Sequence, residues 1–141
     1  MALPLLALTQ GDPAGIGPEI LLKVASRWAE EPRPAWRPLL VAEKSALEPL
    51  RDVLPGVPWD RLAYLSAPPA ESDLPEGMIP VLDPVGERRP LTFGASGPAD
   101  AGGALAALDA GVALVTSGTA RALVTAPLAK GSIARHVLPG F

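Results

Sequence analysis

Apolar positions in this chain alternate between short continuous runs and stripes at helical spacing. Leu3–Leu8 is an apolar run with strand character. From Glu19 to Trp28, Ile20, Leu21, Val24 and Trp28 recur at helical intervals and predict a helix. Leu39-Leu40-Val41-Ala42 reads as a second strand, and Ser45-Ala46-Leu47-Glu48 has capping-box form, opening a short helix to about Val53 that Pro55-Gly56 stops. Arg61–Leu65 and Met78–Leu82 read as short strands. Prolines 68, 69, 75 and 84 break the chain around them, so the topology of residues 55–90 stays open. Ser96-Gly97-Pro98 opens a long helix to Thr116, with Leu105, Leu108, Val112 and Val115 as its expected buried stripe. Ala122–Thr125 then reads as a buried strand and Lys130–His136 as a final helix. Strands alternating with helices predict an α/β fold, a parallel or mixed sheet with helices on its faces.

Composition narrows the class. The 141 residues suit a single domain, and 48% apolar against 19% charged residues supply a core. A net charge of −3 with scattered basic residues argues against a nucleic-acid footprint. No apolar run approaches the roughly 18 residues of a membrane span. The N-terminal MALPLLAL lacks a basic region and leads straight into a glycine turn, so it reads as a strand rather than a signal peptide. Without cysteine there is neither a disulfide framework nor a thiolate metal site, and a cytoplasmic protein is expected. The lack of Asn and Cys beside 18 prolines fits either a thermophile or the codon bias of a GC-rich genome.

The stretch with most chemical content is Thr9-Gln10-Gly11-Asp12-Pro13-Ala14-Gly15-Ile16-Gly17-Pro18-Glu19-Ile20. It joins a strand to a helix through glycines that tolerate positive φ and leave the backbone bare to a ligand. Pro18 suits a first helical position, and the opening turn presents free N–H groups. It is not G-x-G-x-x-G, since Ile20 stands at the third position, and no Gly-Lys-Ser/Thr makes it a P-loop. Two readings remain: a turn that merely needs glycine, or a ligand loop. Asp12 would repel a bare phosphate and suits a hydroxyl, an amide or a metal-bound group better.

The string GDPAGIGPEI resembles the N-terminal signature of the 4-hydroxythreonine-4-phosphate dehydrogenase family of vitamin B6 biosynthesis. Ala104 to Lys130, ending Val124-Thr125-Ala126-Pro127-Leu128-Ala129-Lys130, resembles that family's Ala-rich helix and V-T-(A/G)-P-x-x-K strand end. Gly15-Ile16-Gly17-Pro18-Glu19 is also similar to a motif of isocitrate and isopropylmalate dehydrogenases. The resemblance implies the N-terminal part of their three-layer α/β/α fold. It further implies NAD-dependent oxidation of the secondary alcohol of 4-phosphohydroxy-L-threonine, then loss of carbon dioxide, at a site completed across a homodimer interface. Cofactor contacts are implied at Gly11, Asp12, Gly15, Ile16 and Gly17, and contacts to the small phosphorylated substrate at Thr125 and Lys130.

The family's Pro-Gly-His-Thr-Glu run, its three metal-binding histidines and its phosphate-gripping basic residues belong further along than Phe141. This implies an N-terminal fragment, inactive alone, with its divalent-metal ligands elsewhere. A non-catalytic truncated domain that binds a ligand or partner, or a relative acting on another phosphorylated hydroxy acid, are the alternatives.

Read on their own, the site residues keep structural alternatives. Lys130 either brings an ammonium to a phosphate or carboxylate or is a solvated lysine at a helix start. Thr125 binds ligand or caps a turn, and Pro127 shapes that turn. Asp12 orders its own loop or faces a ligand hydroxyl. His136, the lone histidine, sits between Arg135 and Val137 rather than in Gly-His-Thr, so no metal or substrate role is expected of it. Asp60, Asp73 and Asp83 lack metal-site spacing.

Overall fold

The computed structural model describes residues 2–70 and 74–141. Among these residues five strands, β1 (Leu5–Thr9), β2 (Arg37–Val41), β3 (Leu62–Leu65), β4 (Ile79–Leu82) and β5 (Ala122–Thr125), form one sheet in the order β3-β4-β2-β1-β5. Every pairing is parallel. The described residues also form four α-helices, α1 (Gly17–Glu30), α2 (Lys44–Leu47), α3 (Pro98–Thr116) and α4 (Lys130–His136), and two short 3-10 turns, Glu48–Leu50 and Trp59–Arg61.

Strand side chains alternate between two cores. Leu8, Leu40, Ala42, Ile79 and Val81 face Leu21, Leu22, Ala25 and Trp28 of α1. Leu5, Ala7, Leu39, Val41 and Leu82 face Ala107 and Leu114 of α3. Helices therefore cover both faces, and the expected three-layer α/β/α arrangement is what the chain adopts. Each large aliphatic side chain so buried contributes about 1.5–3 kcal/mol.

The two main helices bury different chemistry. α1 starts at a buried Gly17-Pro18 pair, carries Glu19 in its first turn and Arg27 in its last, and stops at Glu31, which is extended ahead of Pro32. Its buried stripe is Leu21, Leu22, Ala25 and Trp28, shifted slightly from the expected one, with Ile20 and Val24 half-buried. The bounds of α3 match expectation, but its buried face does not. Ala101, Gly103, Ala104, Ala107, Gly111 and Leu114 are buried, while Val112 is 49% exposed. Small residues let the α3 backbone lie close to the sheet: a Cβ on Gly111 would come 2.7 Å from Thr9 Cγ2 and from Leu123 Cδ1. α3 is also long and apolar enough to cross a membrane, at mean hydropathy 1.3, contrary to expectation. Its leucines, valines and alanines give it that value, and it carries Asp100 and Asp109 and packs on the sheet.

Two further expectations are corrected. β5 is no buried strand: Ala122, Val124 and Thr125 are exposed, because it is an edge strand paired only with β1 and α3 covers one of its faces. Ser45 is no N-cap either. α2 begins after Glu43 without a side-chain cap, its Lys44 N–H donating to Asp83 Oδ2 at 2.9 Å, while Ser45 Oγ accepts from Arg89 N–H at 3.0 Å. Within residues 55–90, long side chains substitute for regular structure. Arg37 Nε donates to Met78 O at 2.9 Å and Arg61 Nε to Gly77 O at 2.8 Å, and the Trp59 indole donates to Leu54 O at 2.9 Å.

Candidate functional site

In a parallel sheet all carboxyl ends lie at one edge, the usual position of ligands in open α/β folds. Residues 10–16 leave β1 there and residues 126–129 leave β5. Because β1 and β5 are neighbours with Thr9 opposite Thr125, the two sequence motifs are brought into contact. Asp12 N–H donates to Pro127 O at 3.0 Å, and Ala126 N–H to Thr9 O at 2.9 Å.

The glycines of the first loop serve the chain's own packing. Gly11 has φ +64°, and a Cβ there would overlap Pro127 O. A Cβ on Gly17 would overlap Gln10 O. Positive φ is confined, within this loop, to Gly11. The surface left to a ligand is therefore Asp12, Gly15 and Ile16, the last 61% exposed. Asp12 Oδ1 accepts from Ala14 N–H at 3.0 Å and Ser96 Oγ at 3.3 Å, so its carboxylate orders its own turn and holds a distant loop as well. Thr125 and Lys130 are exposed, Lys130 as the first residue of α4. Beside Thr125, Thr9 Oγ1 is buried without a hydrogen-bond partner among the described residues.

Behind the loop lies a polar cluster that pattern reading missed. Gln10 and Glu43 are fully buried at the carboxyl ends of β1 and β2. Gln10 Nε2 donates to Glu43 Oε2 at 2.9 Å and to Gly103 O at 3.2 Å, and Glu43 N–H donates back to Gln10 Oε1 at 2.8 Å. Arg89 grips Glu43 with both Nε (2.6 Å) and Nη2 (3.0 Å), and its Nη1 donates to Asp100 Oδ1 at 2.8 Å. Asp100 Oδ2 in turn accepts from Gly97 N–H at 2.8 Å at the start of α3. The hydrogen bond to Glu43, reinforced by Asp100, holds the Arg89 guanidinium well above its ordinary pKa despite burial. Gly103 is required here, since a Cβ would overlap Glu43 Oε2. The available signals were local: Gln10 is the chain's single glutamine and abuts the glycine loop, and Glu43 is an acid directly following a wholly apolar strand end.

Two surface cavities lie elsewhere. One, of about 1190 Å³, sits at the carboxyl ends of β2 and β4 between Lys44, Arg51, Asp83 and Arg88. The other, of about 630 Å³, lies at the opposite edge beside Leu5, Trp28 and Arg37. Neither is lined by the glycine loop, Thr125 or Lys130. At the rim of the first, Lys44 Nζ stands 4.7 Å from the Tyr64 ring centre, and burial together with the Glu48 carboxylate pushes the Tyr64 phenol up.

Among the described residues, no three His, Cys, Asp or Glu side chains are placed to hold a metal ion, so the residues present do not fit a divalent-metal centre. Asp83 is a turn acid, its Oδ1 accepting from Val85 and Gly86 N–H at 2.9 and 2.8 Å. Asp60 is exposed in a 3-10 turn and His136 is exposed near the end of α4, whereas Asp73 lies outside the described residues.

A 4-hydroxythreonine-4-phosphate dehydrogenase of Trichlorobacter lovleyi is 36% identical over 80 residues, which cover 57% of this chain and 23% of that protein. The chain resembles the 4-hydroxythreonine-4-phosphate dehydrogenases. A crystal structure of one from Burkholderia phymatum superposes on the whole chain with TM-score 0.74 and 26% identity. A second, from Klebsiella pneumoniae, covers 96% of the chain with TM-score 0.71 and 26% identity. The fold expected from the sequence is thus the fold of these dehydrogenases. The chain spans 42% and 41% of these two solved relatives. No protein-family model matches it.

Proposed function

We propose that this chain is the N-terminal portion of an NAD-dependent dehydrogenase that oxidises and decarboxylates 4-phosphohydroxy-L-threonine in pyridoxal phosphate biosynthesis, working as a cytoplasmic homodimer. The observation that carries the reading is the direct contact of the two resembling motifs at one sheet edge, in a chain whose whole length superposes on 42% of such an enzyme.

Within that reading, the accessible loop surface of Asp12, Gly15 and Ile16 lies nearer the cofactor, with Gly11 and Gly17 shaping the loop beneath it, and Thr125 and Lys130 lie nearer the substrate. NAD, when bound, supplies the hydride acceptor. What the chain contributes is positional. Gly11 and Gly17 let the loop fold onto Pro127 and Gln10. Asp12 keeps its turn closed, and the Lys130 ammonium draws a phosphate or carboxylate. Among the described residues no donor set fits a metal centre, so this reading expects the metal ligands in another part of the protein.

A second reading, a domain that binds a ligand or partner without catalysis, is favoured by that missing donor set. The intact mass of the protein in its native cells separates the two, and the ligand assignment is checked by assaying the purified 141-residue chain with substrate, NAD and divalent metal. No NADH formation is expected. Metal-dependent turnover would overturn the assignment of metal and phosphate ligands to another part of the protein.

A further inference from the structure

The segment from Asp83 to α3 has no regular secondary structure, and its two ends are pinned together. Arg89 on one side and Asp100 on the other form an ion pair at 2.8 Å, which closes residues 90–99 into an Ω-type loop. This neck is the best anchored part of the segment. Arg89 side-chain exposure is 16%, that of Asp100 9% and that of Glu43 0%. Withdrawing Arg89 would strand two carboxylates in a poorly hydrated position.

The tip of the loop is the opposite. Residues 92–96 are exposed throughout, Gly94 has φ +86° with open space around it, and Phe93 is 42% exposed. Two contacts tether the tip to the neighbouring glycine loop: Gly94 N–H to Ala14 O at 2.7 Å and Ser96 Oγ to Asp12 Oδ1 at 3.3 Å. A firmly held neck with a lightly tethered, exposed tip is the construction of a movable flap.

We infer that residues 90–96 form a lid over the mouth of the glycine loop, opening at the Ala14 and Asp12 contacts while the Arg89–Glu43–Asp100 neck stays shut. The tip carries Phe93 as an apolar cover and uses the Asp12 carboxylate as its latch. A ligand hydroxyl taken by Asp12 would displace Ser96 and free the tip. The inference stands on the loop geometry and not on the dehydrogenase reading.

Native-state amide hydrogen exchange of the 141-residue chain tests it without any ligand. The tip amides of Gly94 and Ala95 are expected to exchange at least ~10-fold faster, after correction for intrinsic rates, than the neck amides of Arg89 and Gly97. Ser96→Ala should raise tip exchange a few-fold and leave the neck unchanged. Arg89→Lys keeps the charge but loses the fork. It should raise neck exchange at least ~10-fold more than that of the core amides Gln10 and Ala42. Tip and neck exchanging together in the unmodified chain would overturn the lid. So would a Ser96→Ala tip that does not respond, or a neck that changes only in step with the core.

Discussion

The inner and outer halves of the sheet's carboxyl edge are built on opposite terms. Around Gln10, Glu43, Arg89 and Asp100 every charge meets a partner, and the glycines are consumed by contacts within the chain. Along β5, one strand away from Gln10, the backbone is paired on one side only and Val124 is 52% exposed. The inner region is complete in itself. The outer one is a surface that the relatives, more than twice as long, have chain available to cover. Motif residues Thr125 and Lys130 stand on this exposed side, and the glycine loop stands beside the closely packed one.

Substitutions should separate the two regions clearly. The largest effect is expected from Arg89→Met, which leaves the Glu43 and Asp100 carboxylates buried without their cation. Denaturant unfolding should show a loss of about 3–5 kcal/mol. Val124→Thr on the exposed edge should stay within about 0.5 kcal/mol by the same measurement. Equal losses would erase the distinction.

The glycines offer a sharper version. Gly17→Ala must force a Cβ into Gln10 O and should cost at least about 1–3 kcal/mol. Gly15→Ala meets only ordinary contact, 3.4 Å from Asp12 Cβ, and should change stability by less than about 0.5 kcal/mol. A large loss at Gly15 would mean that the loop is tighter than its geometry indicates.

Association comes next. Val112, Val124 and Leu138 are each 46–52% exposed, and such surfaces together with an open strand edge promote self-association. Light scattering should show mass rising with concentration, and Val124→Lys should suppress it. A clean monomer across the range would count against the unfinished edge.

The smallest effect is electrostatic. Although burial acts to raise it, hydrogen bonds from Arg51 and Tyr64 hold the Glu48 carboxyl below its ordinary value. A depressed folded pKa contributes stability that is present above the unfolded value of about 4.3 and lost as pH falls through the folded one. Glu48→Gln should remove this small pH dependence and leave the neutral-pH fold intact.

Much of the architecture was legible because local signals agreed with it. Gly97-Pro98 marked the start of α3, and the apolar run Ala122–Thr125 marked β5 to the residue. Burial was read less well, since periodicity assigns cores to large apolar side chains. α3 instead buries alanine and glycine to approach the sheet, and β5 lies at an edge that no one-dimensional pattern reveals. The capping box at Ser45 failed because the helix begins before it, at Lys44, whose N–H donates to Asp83, 39 residues away, while Ser45 Oγ accepts from Arg89 N–H. Both motifs of the site were visible, but not their contact. Nor could spacing pair Gln10 with Glu43, or Glu43 with Arg89, which lie 33 and 46 residues apart.

The central claim is that this chain is one part of a longer dehydrogenase, and the intact mass of the protein in its native cells tests it most directly. A mass well above 14.5 kDa is the predicted result, with the covered β5 edge and the remaining site residues in the additional chain. A mass of 14.5 kDa would contradict it and leave a domain that binds without catalysing.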